Sequence, residues 1–169
     1  AISFAGLMDV FQLPIPLAVL LGLLIGLAAG LFNGVIIAFT GISAFIITLA
    51  SLSVFKGINL GITEAQPFYG VAESVKAFGN SSLLGTFPLL ILPTLGCLVG
   101  VWVLLNRMRY GRHLLAVGAS PTAASLVGIS VRNIVIGTHA LSGLLAAVAG
   151  MMVVARLQIG QPTIGDDWL

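Results

Sequence analysis

Four stretches of this chain stay apolar for about the length a helix needs to cross 30 Å of hydrocarbon, roughly 20 residues each. They cover approximately 13–39, 42–62, 83–106 and 134–155. Lipid offers no partner to an unpaired backbone N–H or C=O, so a spanning segment is a helix or part of a closed barrel. The alternating in/out pattern of barrel strands is absent, which predicts an all-α, polytopic transmembrane helical bundle in contact with the lipid bilayer. Composition agrees, with 59% hydrophobic and 7% charged residues, against about 25% charged in soluble domains. The second stretch carries Thr48, Ser51, Ser53, Lys56, Asn59, Gly57 and Gly61, and is the span most open to a broken or re-entrant course.

Charge placement orients the spans. Seven basic residues spread over 169 positions make no basic stripe, so nucleic acid is not an expected partner. The segment 107–133 holds Arg107, Arg109, Arg112 and Arg132 with no acid, which marks it as cytoplasmic. Alternation then puts residues 1–12, the segment 63–82 with Glu64, Glu73 and Lys76, and the tail after Arg156 outside. The Thr40-Gly41 turn falls inside. The chain starts at Ala1 and stops just after Asp166-Asp167-Trp168, so 1–169 reads as one transmembrane domain cut at both ends.

Glycine spacing predicts how the helices meet. Gly22, Gly26, Gly30 and Gly34 recur every fourth residue and line one side of a helix, letting a neighbouring backbone approach. Gly96 and Gly100 repeat the device, and Ser142, Ala146, Ala149 and Gly150 give the fourth span a small-residue face. Pro88 and Pro93 are expected to bend the start of the third span.

Catalytic signatures are missing. There is no Gly-x4-Gly-Lys-[Ser/Thr] phosphate loop and no His-Glu-x-x-His pair, so neither ATP hydrolysis nor the common intramembrane zinc chemistry is expected of this chain. The lone Cys97 lies in an apolar run and reads as a small buried hydrophobe. Ala140-Leu141-Ser142-Gly143 is one residue away from the serine motif of intramembrane proteases, but His113 belongs to a cytoplasmic loop and Ser142 reads as a packing residue. Lys56, Arg156 and His139 lie near span ends and read as anchors. Asn33 and Thr48 lie deeper, where a polar side chain either bonds a neighbouring helix or lines a pathway. No row of acids or bases suggests a proton relay.

The most informative segment lies between the third and fourth spans. Ser120 followed by Pro121 is an N-cap and first-turn signal and Gly128 a stop, so about two turns of helix lie between them. Such a helix is too short to stand alone. Ala123, Ala124, Leu126 and Val127 would leave apolar surface in the cytoplasm unless something covers it. A docking knob for a partner protein is the economical reading; a connector folded back on its own bundle is the alternative.

Gly111-Arg112, Ala116-Val117-Gly118, Ala123-Ala124 and Gly128-Ile129 in this loop carry a family likeness. It extends through Leu141-Ser142-Gly143-Leu144, Ala149-Gly150, Arg156 and Gly160-Gln161-Pro162, and upstream through Asn33-Gly34, Phe45-Ile46, Thr48-Leu49 and Gln66-Pro67. In these residues the chain resembles the ribose-type sugar permeases of ATP-binding-cassette importers. The related branched-chain amino-acid permeases have a similar loop without the Gly160-Gln161-Pro162 ending. The resemblance implies that Gly118, Ala119, Pro121, Ala123, Ala124 and Gly128 form a coupling helix held in a cleft of a cytoplasmic ATP-binding subunit. It further implies a second permease subunit, most simply a homodimer, and a periplasmic or lipid-anchored sugar-binding protein. This chain would need no cofactor, ATP and magnesium belonging to the partner ATPase. The implied function is inner-membrane import of a ribose-, xylose- or galactose-like monosaccharide by alternating access. Gln66 and Gln161 become candidates for an outer gate or receptor contact, beside Asn33 and Thr48 for the pathway. One departure is the turn Phe39-Thr40-Gly41-Ile42, where the family usually carries Lys or Arg. A branched-chain amino-acid permease, an ion-coupled carrier and an intramembrane enzyme remain the other readings.

Overall fold

The computed structural model describes residues 2–9, 13–64, 66–70, 72–83 and 87–161. The elements are α1 (Ile2–Asp9), α2 (Ile15–Thr40), α3 (Ala44–Thr63), α4 (Glu73–Asn80), β1 (Ser82–Leu83), β2 (Phe87–Pro88), α5 (Ile91–Arg107), α6 (Arg109–Ala119), α7 (Pro121–Leu126) and α8 (Val131–Leu157). Among the described residues, α2, α3 and α8 are each long and apolar enough to cross a membrane, and α5 with α6 would make a fourth crossing as a pair bent by 76°.

Helix ends follow local chemistry. α2 starts behind Pro14 and stops at Gly41, whose φ of 68° lets its N–H turn back to Ile37 O at 3.2 Å. The third span differs from its expected limits. Residues 82–83 pair with 87–88 as a two-residue antiparallel ladder, and helix begins only at Ile91. Pro93 is the third residue of α5, in the first turn, where its missing N–H leaves no intrahelical bond unmade.

The bundle is built on α2 and α8, which run antiparallel along the glycine row. A Cβ at Gly26 would lie 2.6 Å from Gly143 O, and one at Gly34 would lie 2.9 Å from Ile136 Cα. At Gly30 it would collide with His139 O. These contacts hold the two backbones closer than any side chain would permit. On α8 the residues that meet this row are Ile136, His139, Ala140, Gly143 and Ala147. Ser142, expected in the packing face, is exposed. At about 100° per residue it lies one position off the line through Gly143, as do the exposed Ala146 and Ala149. Gly150 is half-buried.

Two buried clusters sit at opposite ends of this pair. One packs Phe4, Ala5 and Met8 of α1 with Ala18, Val75, Val154 and Ala155. The other packs Val117, Ala124 and Ile134, edged by Tyr110, Leu114, Ile129 and Val131. Between them large apolar side chains such as Leu20, Phe32, Phe45, Leu98 and Trp102 face outward, as helices bathed in hydrocarbon do.

Candidate functional site

The loop 107–133 is a mounted structure. At Met108 the chain leaves α5 and turns into α6, an amphipathic helix whose Tyr110, Gly111, Leu114 and Val117 face the bundle. Gly111 sits directly against the end of α5, where a Cβ would lie 2.5 Å from Leu105 Cα. Tyr110 Oη lies 3.2 Å from Ile134 O and 3.3 Å from Thr138 Oγ1. Gly137 makes room for that hydroxyl, since a Cβ there would lie 2.6 Å from it.

On this base stands α7. Ser120 Oγ accepts the Ala123 N–H at 3.2 Å, Pro121 opens the first turn, and Gly128 at φ 82° ends the unit. Ala124 points inward and is 2% exposed, packed with Val117 and Ile134. Two positions on, about 200° around the helix, Leu126 is 83% exposed and Val127 next to it 75%. Gly118, Ala119, Pro121, Ala123 and Gly128 are exposed around them. Among the residues assigned to the coupling helix, Ala124 therefore mounts it on its own chain. The apolar tip consists of Leu126, which supplies bulk, and Val127, whose β-branch stiffens it.

A second constellation occupies the opposite end of α8. Phe68 N–H donates to Gly160 O at 2.8 Å and Gly160 N–H donates to Phe68 O at 2.9 Å, an isolated antiparallel bridge. It places exposed Gln66 and Tyr69 on the same surface as exposed Gln161. Pro162, Asp166 and Asp167 lie outside the described residues. Below the bridge, Gly6 receives the Phe68 ring and Gly160 packs on Ala5. Gly79 of α4 packs on Ala155 O, so two connectors and two short helices form one cap.

Asn33 and Thr48 do not meet. Ser51 Oγ donates to Asn33 Oδ1 at 2.5 Å, tying α3 to α2, while Thr48 Oγ1 donates to Ala44 O and Phe45 O of its own helix. Phe32 and Phe55 add an edge-to-face contact with centroids 6.4 Å apart. Ser51 was one polar residue among several in its span. Its place about two and a half turns beyond the α2–α3 turn, level with Asn33 the same distance before it, is the signal that could have singled it out.

The family model described as a branched-chain amino acid transport system permease component matches residues 1–169. The chain belongs to this permease family. Its relatives include the ribose import permease protein of Bacillus subtilis (strain 168), 38% identical over 154 residues, covering 90% of this chain and 48% of the relative. The D-allose transport system permease protein of Escherichia coli (strain K12) is 34% identical over 79% of this chain and 40% of its own length. The autoinducer 2 import system permease protein of Enterobacter sp. (strain 638) is 35% identical over 97% and 52%. The chain thus spans about half the length of the curated relatives it matches. No solved structure matches it.

Within this permease, the turn Phe39-Thr40-Gly41-Ile42, which holds no charge of its own, is supplied with a cation from elsewhere. The Arg132 guanidinium lies 4.6 Å from the centroid of the Phe39 ring, placing a positive charge beside Thr40-Gly41. The contact is worth about 0.5–1 kcal/mol at such an exposed site and ties the C-terminal end of α2 to the N-terminal end of α8. The permease's His139 Nδ1 lies 3.0 Å from Val135 O of its own helix. Among the described residues no group of three or more His, Cys, Asp or Glu is placed to hold a metal.

Proposed function

We propose that the whole protein is the membrane-spanning subunit of an ATP-binding-cassette importer for a sugar, in the inner membrane. The observation that carries this reading is α7, a capped, six-residue helix mounted through Ala124 with Leu126 and Val127 left bare. Bare apolar tips of this kind need a cover, and a short stiff helix transmits force to whatever it is mounted on. The cover in this reading is a cleft in a cytoplasmic ATP-binding subunit that holds the ATP and magnesium. The relatives named for ribose and D-allose support a monosaccharide cargo, even though the family description names branched-chain amino acids. A second copy of the permease and a sugar-binding protein outside complete the assembly, with Gln66, Tyr69 and Gln161 on the surface that receives the latter.

Transport then proceeds by alternating access. ATP-driven closure of the partner favours one arrangement of the permease only if it grips α7 differently in the two states. A pull-down tests this. Leu126→Asp leaves the Ala124 mount intact and puts a charge on the tip, and is expected to lower both retention of the ATP-binding subunit and sugar uptake by about tenfold or more. Undiminished retention and uptake would count against the reading.

A further inference from the structure

α8 is the only helix among the described residues that contributes buried side chains to both clusters. Ile134 belongs to the inner one, Val154 and Ala155 to the outer one. They are 20 residues apart, about 30 Å at the rise of an α-helix and so about one hydrocarbon thickness. No proline interrupts Val131–Leu157. The glycine row of α2 braces the helix along its length, which resists bending. α5 has no comparable continuity, being separated from α6 by the 76° turn.

Both ends of α8 are also tied by hydrogen bonds. At the inner end Tyr110 reaches across from α6 to Ile134 O and Thr138 Oγ1, in a slot that Gly137 keeps open. At the outer end, three residues beyond the last turn, Gly160 is bridged to Phe68 in the connector that follows α3. We propose that α8 is a transmission rod: Tyr110 fixes its inner end to the α6–α7 mount, the Phe68–Gly160 bridge fixes its outer end to the external cap, and movement of α7 is delivered to the surface carrying Gln66 and Gln161. Tyr110 is on this account a positioning residue. It touches neither cargo nor partner and acts by keeping α7 and α8 in step. The inference rests on the reading of α7 as the element gripped by the ATP-binding subunit.

The test uses the full-length permease assembled with its ATP-binding subunit in proteoliposomes. Tyr110→Phe removes the hydroxyl and keeps the ring that packs with Leu114 and Val117. A dye on Gln66→Cys, in a Cys97→Ala background, reports the outer surface while ATP is added to the motor side. The expected result is a dye response to ATP in the parent and a response at least about threefold smaller with Tyr110→Phe, a loss of the size one hydrogen bond supplies. Association with the ATP-binding subunit stays at the parental level. A parental response that is absent, or one that Tyr110→Phe reduces by less, overturns the rod. Failure of the parent itself to retain the ATP-binding subunit is a different outcome and overturns the functional reading beneath it.

Discussion

The glycines of this permease divide by what a side chain would meet. Gly26, Gly30 and Gly34 have backbone of α8 in the space a Cβ would take, whereas Gly57 and Gly96 have nothing within 4 Å. Gly30→Leu is therefore expected to force α2 and α8 apart, at a cost of about 3 kcal/mol or more, read as a lower unfolding temperature in detergent. Gly96→Ala should be neutral or gain about 0.5–1 kcal/mol from helix propensity. Equal destabilisation by the two would contradict the packing. The polar pair behaves differently. Ser51→Ala removes a hydrogen bond between α2 and α3 worth about 0.6–1.7 kcal/mol in a membrane. In a double-mutant cycle with Asn33→Leu the two losses should not add, because each alone abolishes the same contact.

At the scale of elements, the contrast between Ala124 and Leu126 makes the mount testable apart from the docking. Ala124→Arg places a charge at a position 2% exposed. Expelling it should detach α7 from Val117 and Ile134 at a cost of about 3 kcal/mol or more. Limited proteolysis of inverted vesicles would then cut at Arg109, Arg112 and Arg132 several times faster than in the parent, while Leu126→Asp should leave the cutting pattern unchanged. Much of α7 was legible beforehand, because Ser120-Pro121 and Gly128 are local signals that need no tertiary contact to be understood. Which side of α7 faces outward was not legible, since a six-residue helix has no fixed register until Val117 and Ile134 supply a surface for Ala124. α6 was missed for another reason. Its Tyr110, Leu114 and Val117 do recur at helical spacing, but the four arginines of the loop read as a topology signal and masked the periodicity. The first span's glycine row was readable from spacing alone. Its counterpart on α8 required knowing the helix phase, which selected Gly143 over Ser142.

Over the whole molecule, α8 joins two surfaces that lie far apart in space and are each assembled from separate parts of the sequence. Gln66-Pro67 and Gly160-Gln161 are candidates for one outer gate or receptor contact although more than 90 residues separate them; the Phe68–Gly160 bridge puts them in one place. For α8 to link them across the membrane, this place and the tip of α7 must lie on opposite sides of the bilayer. A membrane-impermeant maleimide applied to Leu126→Cys and Gln66→Cys, each in a Cys97→Ala background, measures that directly. The predicted result is labelling of Gln66→Cys in intact cells and of Leu126→Cys only in inverted vesicles. Labelling of Leu126→Cys from outside, or of both positions from the same side, would contradict it.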